Sequence, residues 1–374
     1  MSLNTIFPNS VRDTYTENDI VDFLISIENQ QVLKNSMTIT GTVEVVDSSG
    51  NRIDTSKDVN IDAVDGVHAL FQGITSSCDR AGVIENNIIY PLWYRMKMNA
   101  SQLDTMMASE TNKTSALRSG ENSKTKFLLL GNNGADSDSG TGKRMSFAMK
   151  PDIAFNKSND DIRVSKTGNL QLSLRMATNR QFLFGKNASS YSYKVRDLQL
   201  HYYTRPLQGK GENLVFESIY SVKNTAESNN TSLSTRVPAV VRSVSCAFIQ
   251  TKALDNFVYN NIQQERPPDV QRVNFSFNDS TTAYVSFTFE NQSEILYNYQ
   301  RSLGYGYGGY LGKSNMTQHH IWGKGDMYGI GLNFGQLVDM RNSKFGLNIV
   351  SGIGSAAAPE KYSVFMVFRG VVSI

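Results

Sequence analysis

Residues Gly66–Met98 read GVHALFQGITSSCDRAGVIENNIIYPLWYRMKM, and the rest of the chain is organised around them. Val67, Leu70, Phe71 and Ile74 have helical spacing, which predicts a short amphipathic helix or turn. Further on, Ile88, Ile89, Tyr90, Leu92, Trp93, Tyr94 and Met96 crowd around Pro91. Proline fixes φ and removes a backbone donor, so this apolar run predicts a strand that bends or ends at Pro91. Ser101 and Asp104 then have capping-box spacing ahead of Leu103, Met106 and Met107, which predicts a second helix starting near Ser101.

Outward from this stretch the chain reads as β. Met37, Ile39, Gly41, Val43 and Val45 alternate with Thr38, Thr40, Thr42 and Glu44, the period of a half-buried strand. Leu170, Leu172, Leu174 and Met176 alternate with Gln171, Ser173 and Arg175, and Leu198, Leu200 and Tyr202 with Gln199, His201 and Tyr203. DIVDFLISI, from Asp19, predicts a first strand, and VPAVVRSVSCAFIQ a strand pair. Val273, Phe275 and Phe277, the turn Asn278-Asp279-Ser280, and then Phe287 and Phe289 predict a hairpin. SEILYNYQRSL predicts a helix with Ile295, Leu296, Tyr299 and Leu303 on one stripe, and LDNFVYNNIQQE a short helix. Polar loops are expected at 47–65, 109–143, 223–235 and 304–325.

Both halves close alike, each with an aliphatic strand and then an aromatic-aliphatic one. The second ends in GLNIVSGI and YSVFMVFRGVV. Pro206 and the GKGEN segment interrupt the pattern between them. The expected organisation is an extended arm at 1–18, a first β-unit at 19–206 and a second at 207–374.

The order within Gly66–Met98 resembles a segment of the first barrel of double jelly-roll capsid proteins, which coat tailless double-stranded DNA viruses of the tectivirus, virophage, polinton-like and adenovirus lineage. The matching residues are Leu70 and Phe71, the Tyr90-Pro91 bend and the helix near Ser101. Family members often carry a basic or aromatic residue after that proline, where this chain has Leu92 and Trp93. The resemblance implies an all-β fold of two antiparallel eight-stranded jelly-roll β-sandwiches with short helices in the loops. It also implies a major capsid protein whose homotrimers tile an icosahedral shell. Its implied partners are neighbouring capsomers, penton and minor capsid proteins and, where one exists, an internal viral membrane. The virion is the implied location, after synthesis in the host cytoplasm. Two alternatives stand beside it: a penton or minor capsid protein with a single jelly roll plus an accessory β-domain, and a glycan- or receptor-binding β-protein using Tyr305, Tyr307 and Tyr310.

The 374 residues carry a net charge of +3 with no run of like charges, so no specific nucleic-acid surface is indicated. No apolar run approaches the roughly 20 residues of a membrane-spanning helix, and the first residues lack the order of a signal peptide. Cys78 and Cys246 are far apart and give neither a metal spacing nor a CxxC pair. Asp54, Asp58, Asp62 and Asp65 lack EF-hand offsets and read as a solvated loop. GYGYGGYLGKS and GTGK have Tyr307 and Ser137 where a phosphate-binding loop needs its first glycine. His319 and His320, even with Asp326, fall short of a metal set, since adjacent strand residues face opposite ways. His68 and His201 are isolated and read as structural. No catalytic, cofactor-binding or metal residues are assigned, and no enzyme activity is expected.

Overall fold

The computed structural model describes residues 1–53, 57–62, 65–101, 145–208, 213–227, 231–254, 256–257, 264, 270–278, 280, 282–288, 290–304, 328–351 and 361–374. The first half contains β1 (Ser2–Ile6), β2 (Ile20–Ile25), β3 (Gln30–Val32), β4 (Thr38–Asp47), β5 (Phe71–Cys78) and β6 (Gly82–Asn87). Helix α1 (Tyr90–Ser101) follows, then β7 (Met145–Met149), β8 (Ile162–Arg163), β9 (Leu170–Met176) and β10 (Tyr191–Pro206). The second half contains β11 (Val215–Glu227), β12 (Thr231–Thr235), β13 (Val240–Gln250), β14 (Val270–Phe277) and β15 (Val285–Thr288). Helix α2 (Gln292–Ser302) precedes β16 (Gly329–Asp339), β17 (Phe345–Ser351) and β18 (Lys361–Ser373).

The pairings repeat one plan. In the second half β11-β18-β13-β16 form one sheet and β12-β17-β14-β15 the other. With the short β3 and β8 set aside, the first half reads β1-β10-β4-β7 and β2-β9-β5-β6. In both, the first strand pairs the eighth, the eighth the third and the third the sixth, while the second, seventh, fourth and fifth make the facing sheet. This is the jelly roll, twice. A parallel bridge between Asn86 and Tyr220 joins β6 to β11, so one sheet runs across both barrels from β16 to β2.

Alternation places the cores. Leu170, Leu172, Leu174 and Met176 are buried while Gln171 and Arg175 face solvent. They pack with Phe23, Ile39, Val43, Phe71 and Leu200 in the first core. Val244, Phe275, Phe287, Leu347 and Phe368 anchor the second. The hairpin forms between Val270–Phe277 and Val285–Thr288, with Val273 opposite Phe287, while Asp279 of its expected turn and Phe289 lie outside the described residues. The stripe on α2 buries Ile295, Tyr299 and Leu303.

Several elements differ from expectation. Residues 90–96 are helical: Pro91 lies in the first turn of α1, where a missing N–H costs nothing. Gly66–Leu70 is a 3-10 helix, and Phe71 and Ile74, expected on its stripe, belong to β5. VPAVVRSVSCAFIQ contains one long strand rather than a pair. Residues 223–227 and 231–235, expected in a loop, belong to β11 and β12. The presumed arm holds the first jelly-roll strand: β1 pairs β10 from Ser2↔Thr204 to Ile6↔Leu200. Tyr15 is buried and exchanges backbone bonds of 2.8 and 2.9 Å with Val195. Asp62 and Asp65 are buried, not solvated. The helix expected beyond Ser101 and most of LDNFVYNNIQQE lie outside the described residues.

Candidate functional site at the barrel seam

Helix α1 starts in one core and finishes in the other. Tyr90 packs in the first, whereas Leu92, Trp93, Met96 and Ala100 pack in the second. Every residue from Tyr90 to Ala100 is buried except Lys97, which is half-buried. This makes α1 the peg between the barrels, and it carries polar groups that must find partners in the dark.

Arg95 forms a buried ion pair with Asp62, their side chains 1% and 3% exposed. Asp65 lies beside them with its backbone N–H donating to Asp62 Oδ1 at 2.9 Å. Burial and the neighbouring Asp62 charge push the Asp65 carboxyl well above its ordinary range, against the pull of Arg95. His68 stacks on Tyr94 with ring centroids 3.7 Å apart and lies 2.7 Å from the Tyr90 hydroxyl through Nδ1. Burial lowers its pKa to about 3, outweighing the nearby Asp152 charge, so the ring is neutral. The Tyr90 hydroxyl accepts from the Asp152 backbone N–H at 3.1 Å and is thereby set to donate to His68.

Asp152 gathers the far side of the helix. Its carboxylate accepts from Trp93 Nε1 at 2.6 Å and from Lys97 Nζ at 2.5 Å, with Lys157 at 3.5 Å. Burial alone would raise this carboxyl, but the two lysines and the indole hold it well below its usual range. Lys157 also approaches Glu85 at 3.7 Å. Glu85 accepts from the Ala154 N–H at 2.8 Å and the Ser76 hydroxyl at 3.1 Å. Burial dominates there and pushes its pKa to about 7 despite Lys157. Ser221 Oγ ties β11 to β6, donating to Asn87 Oδ1 at 2.9 Å and accepting from the Ile88 N–H at 2.8 Å.

A groove of 660 Å³ runs along the seam beside this network. Ile74, Ile88 and Leu92 line it from one barrel, and Lys223, Ile249 and Phe365 from the other. The seam's chemistry is that of a fastener. The His68 ring is enclosed and neutral. Cys78 and Cys246 are both buried, one in each core, and burial raises the Cys246 thiol far above its ordinary pKa. His201 also has a structural place: Thr5 and Thr40 hydroxyls lie 2.9 and 2.8 Å from its two ring nitrogens, linking β1, β10 and β4. Asp54, His319, His320, Asp326, Tyr305, Tyr307, Tyr310 and both glycine-rich segments past Gly304 and Ser137 lie outside the described residues. Sequence reading missed Arg95, Asp152 and Lys157. The one available signal was Arg95 itself, a cation inside an apolar run.

The chain aligns along its whole length with solved structures of viral coats. The Faustovirus major capsid protein matches 100% of this chain and 90% of its own, with a TM-score of 0.62 and 9% identity. A structure of the Sputnik virophage matches 100% and 86%, with 0.56 and 10%. The mavirus major capsid protein matches 100% and 90%, with 0.52 and 9%. No protein-family model matches the sequence, and no curated protein matches it. The chain is a double jelly-roll protein with the fold of these viral coat proteins.

Proposed function

We propose that this chain is a viral major capsid protein, a building block of an icosahedral shell with no catalytic role. The observation that carries the reading is the whole-chain likeness, at TM-scores of 0.52–0.62, to major capsid proteins in which both barrels have counterparts. The single-jelly-roll penton alternative fits poorly, because both halves complete the eight-strand order. We divide the chain at 206/207, between β10 and β11, although α1 and Phe216 each reach across to the other barrel's core.

Self-association is the second support. Met1, Leu3, Phe7 and Val11 are exposed in and beside β1, and Tyr284 and Tyr297 are exposed on the second barrel. Large exposed apolar side chains on both barrels suit burial between like subunits. The reading places the protein in the virion, as a homotrimer among capsomers, with penton and minor capsid proteins and an internal membrane as further neighbours. Light scattering on purified protein at micromolar concentration tests it. A trimer is expected, and a strictly monomeric species overturns the reading.

A further inference from the structure

Glu85, Lys157 and Asp152 form a buried cluster at the seam, their side chains 2%, 14% and 8% exposed. Lys157 Nζ stands between the two carboxyls, 3.7 Å from Glu85 Oε1 and 3.5 Å from Asp152 Oδ2. A cation placed only for stability closes to about 2.7–2.9 Å on a partner. Lys97 does close on Asp152, at 2.5 Å, and Lys157 does not.

Three pieces of chain bring the groups together. Glu85 lies on β6. Asp152 follows β7 and is anchored by the Trp93 indole and Lys97 of α1. Lys157 ends the 3-10 helix Ala154–Lys157. The next residue, Ser158, bridges Phe216 of β11, so the backbone of Lys157 is held on both sides.

The two carboxyls differ in kind. Asp152 is kept an anion by two lysines and an indole. Burial pushes Glu85 to about 7, so near neutrality much of it carries a proton. A protonated carboxyl is the better acyl donor, because its leaving oxygen departs as water. Both hydrogen-bond donors to Glu85 fall on one oxygen: the Ala154 N–H at 2.8 Å and the Ser76 hydroxyl at 3.1 Å reach Oε2. Two fixed donors on one carboxyl oxygen stabilise negative charge that develops there, as an oxyanion hole does. The other oxygen, Oε1, is the one nearest the Lys157 amine.

We infer that Glu85 and Lys157 join in an intramolecular amide bond, with Asp152 as proton acceptor. Lys157 passes one ammonium proton to Asp152 Oδ2. The freed lone pair of Nζ bonds to Glu85 Cδ, and the carbonyl electrons move onto Oε2 under the Ala154 and Ser76 donors. The carbonyl then re-forms and the Cδ–Oε1 bond breaks. Oε1 leaves as water, taking the proton it carried and a second from Nζ, and Asp152 releases its proton to solvent. Nothing is oxidised or reduced, and no co-reactant enters. Holding both groups in one enclosed site turns a bimolecular condensation into a unimolecular one. The titration of Glu85 belongs to the chain before it reacts. The amide staples β6 to the segment that meets β11, beside the Asn86–Tyr220 bridge.

Intact-mass spectrometry of the full chain, denatured after prolonged incubation near neutral pH, tests the bond. A population lighter than the sequence mass by one water is expected. Proteolytic mapping should place it in a branched peptide containing Glu85 and Lys157. Chain incubated in denaturant should keep its full mass. Lys157→Arg preserves the charge, cannot form the amide and should also keep its full mass. Asp152→Asn removes the proton acceptor and should slow the loss of water by about a hundredfold. Full sequence mass in the unaltered protein overturns the inference. So does a water loss that survives Lys157→Arg, a branch at another pair, or an unchanged rate in Asp152→Asn. Should Lys157→Arg fail to fold, the branched peptide of the unaltered chain decides alone. A trimer of full sequence mass would defeat the amide and leave the capsid reading intact.

Discussion

Helices α1 and α2 occupy the same place in their two barrels, between the fifth and sixth strands of the jelly roll, yet they are built oppositely. α2 lies on the outside of its own barrel. Its Asn291 cap accepts from the Glu294 N–H at 3.3 Å and donates to the Glu294 carboxylate at 2.8 Å. Ile295 and Tyr299 face inward while Ser293, Glu294 and Tyr297 face water. α1 has water on almost no side, and it is held by ion pairs and hydrogen bonds to Asp62, His68 and Asp152. A position used as a lid in one copy of the fold is used as a dowel in the other.

The contrast explains what could be read in advance. A helix declares itself in sequence through a polar face, and α2 had one, along with its cap. α1 is buried all round, so its apolar residues show no 3.6 period, and Pro91 points equally to a strand end or a helix start. The same reasoning covers Asp62 and Asp65. Aspartates at 54, 58, 62 and 65 look solvated until Arg95 is brought against Asp62 with Asp65 beside it. The strand plan was legible wherever one face met solvent, as at Leu170–Met176. β1 was hidden because its side chains are mostly exposed and its ladder is made by the main chain. The register break in β13 between Val241 and Ser243 was invisible for another reason: a bulge is a pairing property, and no local spacing encodes it.

The largest test of the contrast is truncation. Trp93→Ala removes an indole buried in the second core and a bond to Asp152, and should cost about 4 kcal/mol in chemical denaturation. The corresponding cut on α2, Leu296→Ala at a half-buried position, should cost about 1 kcal/mol. Equal losses would erase the distinction between dowel and lid.

A medium effect lies in the pH profile. Glu85 titrates at about 7 in the fold against an ordinary 4.5, so its contribution is full below 4.5 and is lost as pH rises to 7. His68 titrates at about 3 against 6.5, so its contribution is full above 6.5 and is lost as pH falls toward 3. Between 4.5 and 6.5 the two slopes oppose. Asp65, also raised by burial, titrates with the sign of Glu85. Glu85→Gln should therefore remove one of two carboxyl slopes that oppose the histidine, and shift the slope of the profile across this window by up to about 1.4 kcal/mol per pH unit relative to the unaltered protein. Unfolding midpoints at several pH values would check it. A profile parallel to that of the unaltered protein would count against the seam network as drawn.

The smallest effect belongs to the cap. Asn291→Ala should lower stability by about 1 kcal/mol, read as a shift in denaturation midpoint with unchanged slope. A loss as large as that from Trp93→Ala would mean that α2, too, bears on more than its own barrel.

Strand β11 stands between β6 on one side and β18 on the other, and the two arrive at very different moments of translation. β18 supplies partners along the whole of β11, from Val215↔Ser373 to Glu227↔Lys361. At ordinary ribosomal speeds the interval between their synthesis is on the order of ten seconds. Throughout it a nascent chain displays a long bare strand edge next to a nearly finished first barrel. The join that makes two barrels one body is therefore also the slowest part of the molecule to protect. Crowded polysomes would feel that hazard before any shell is assembled.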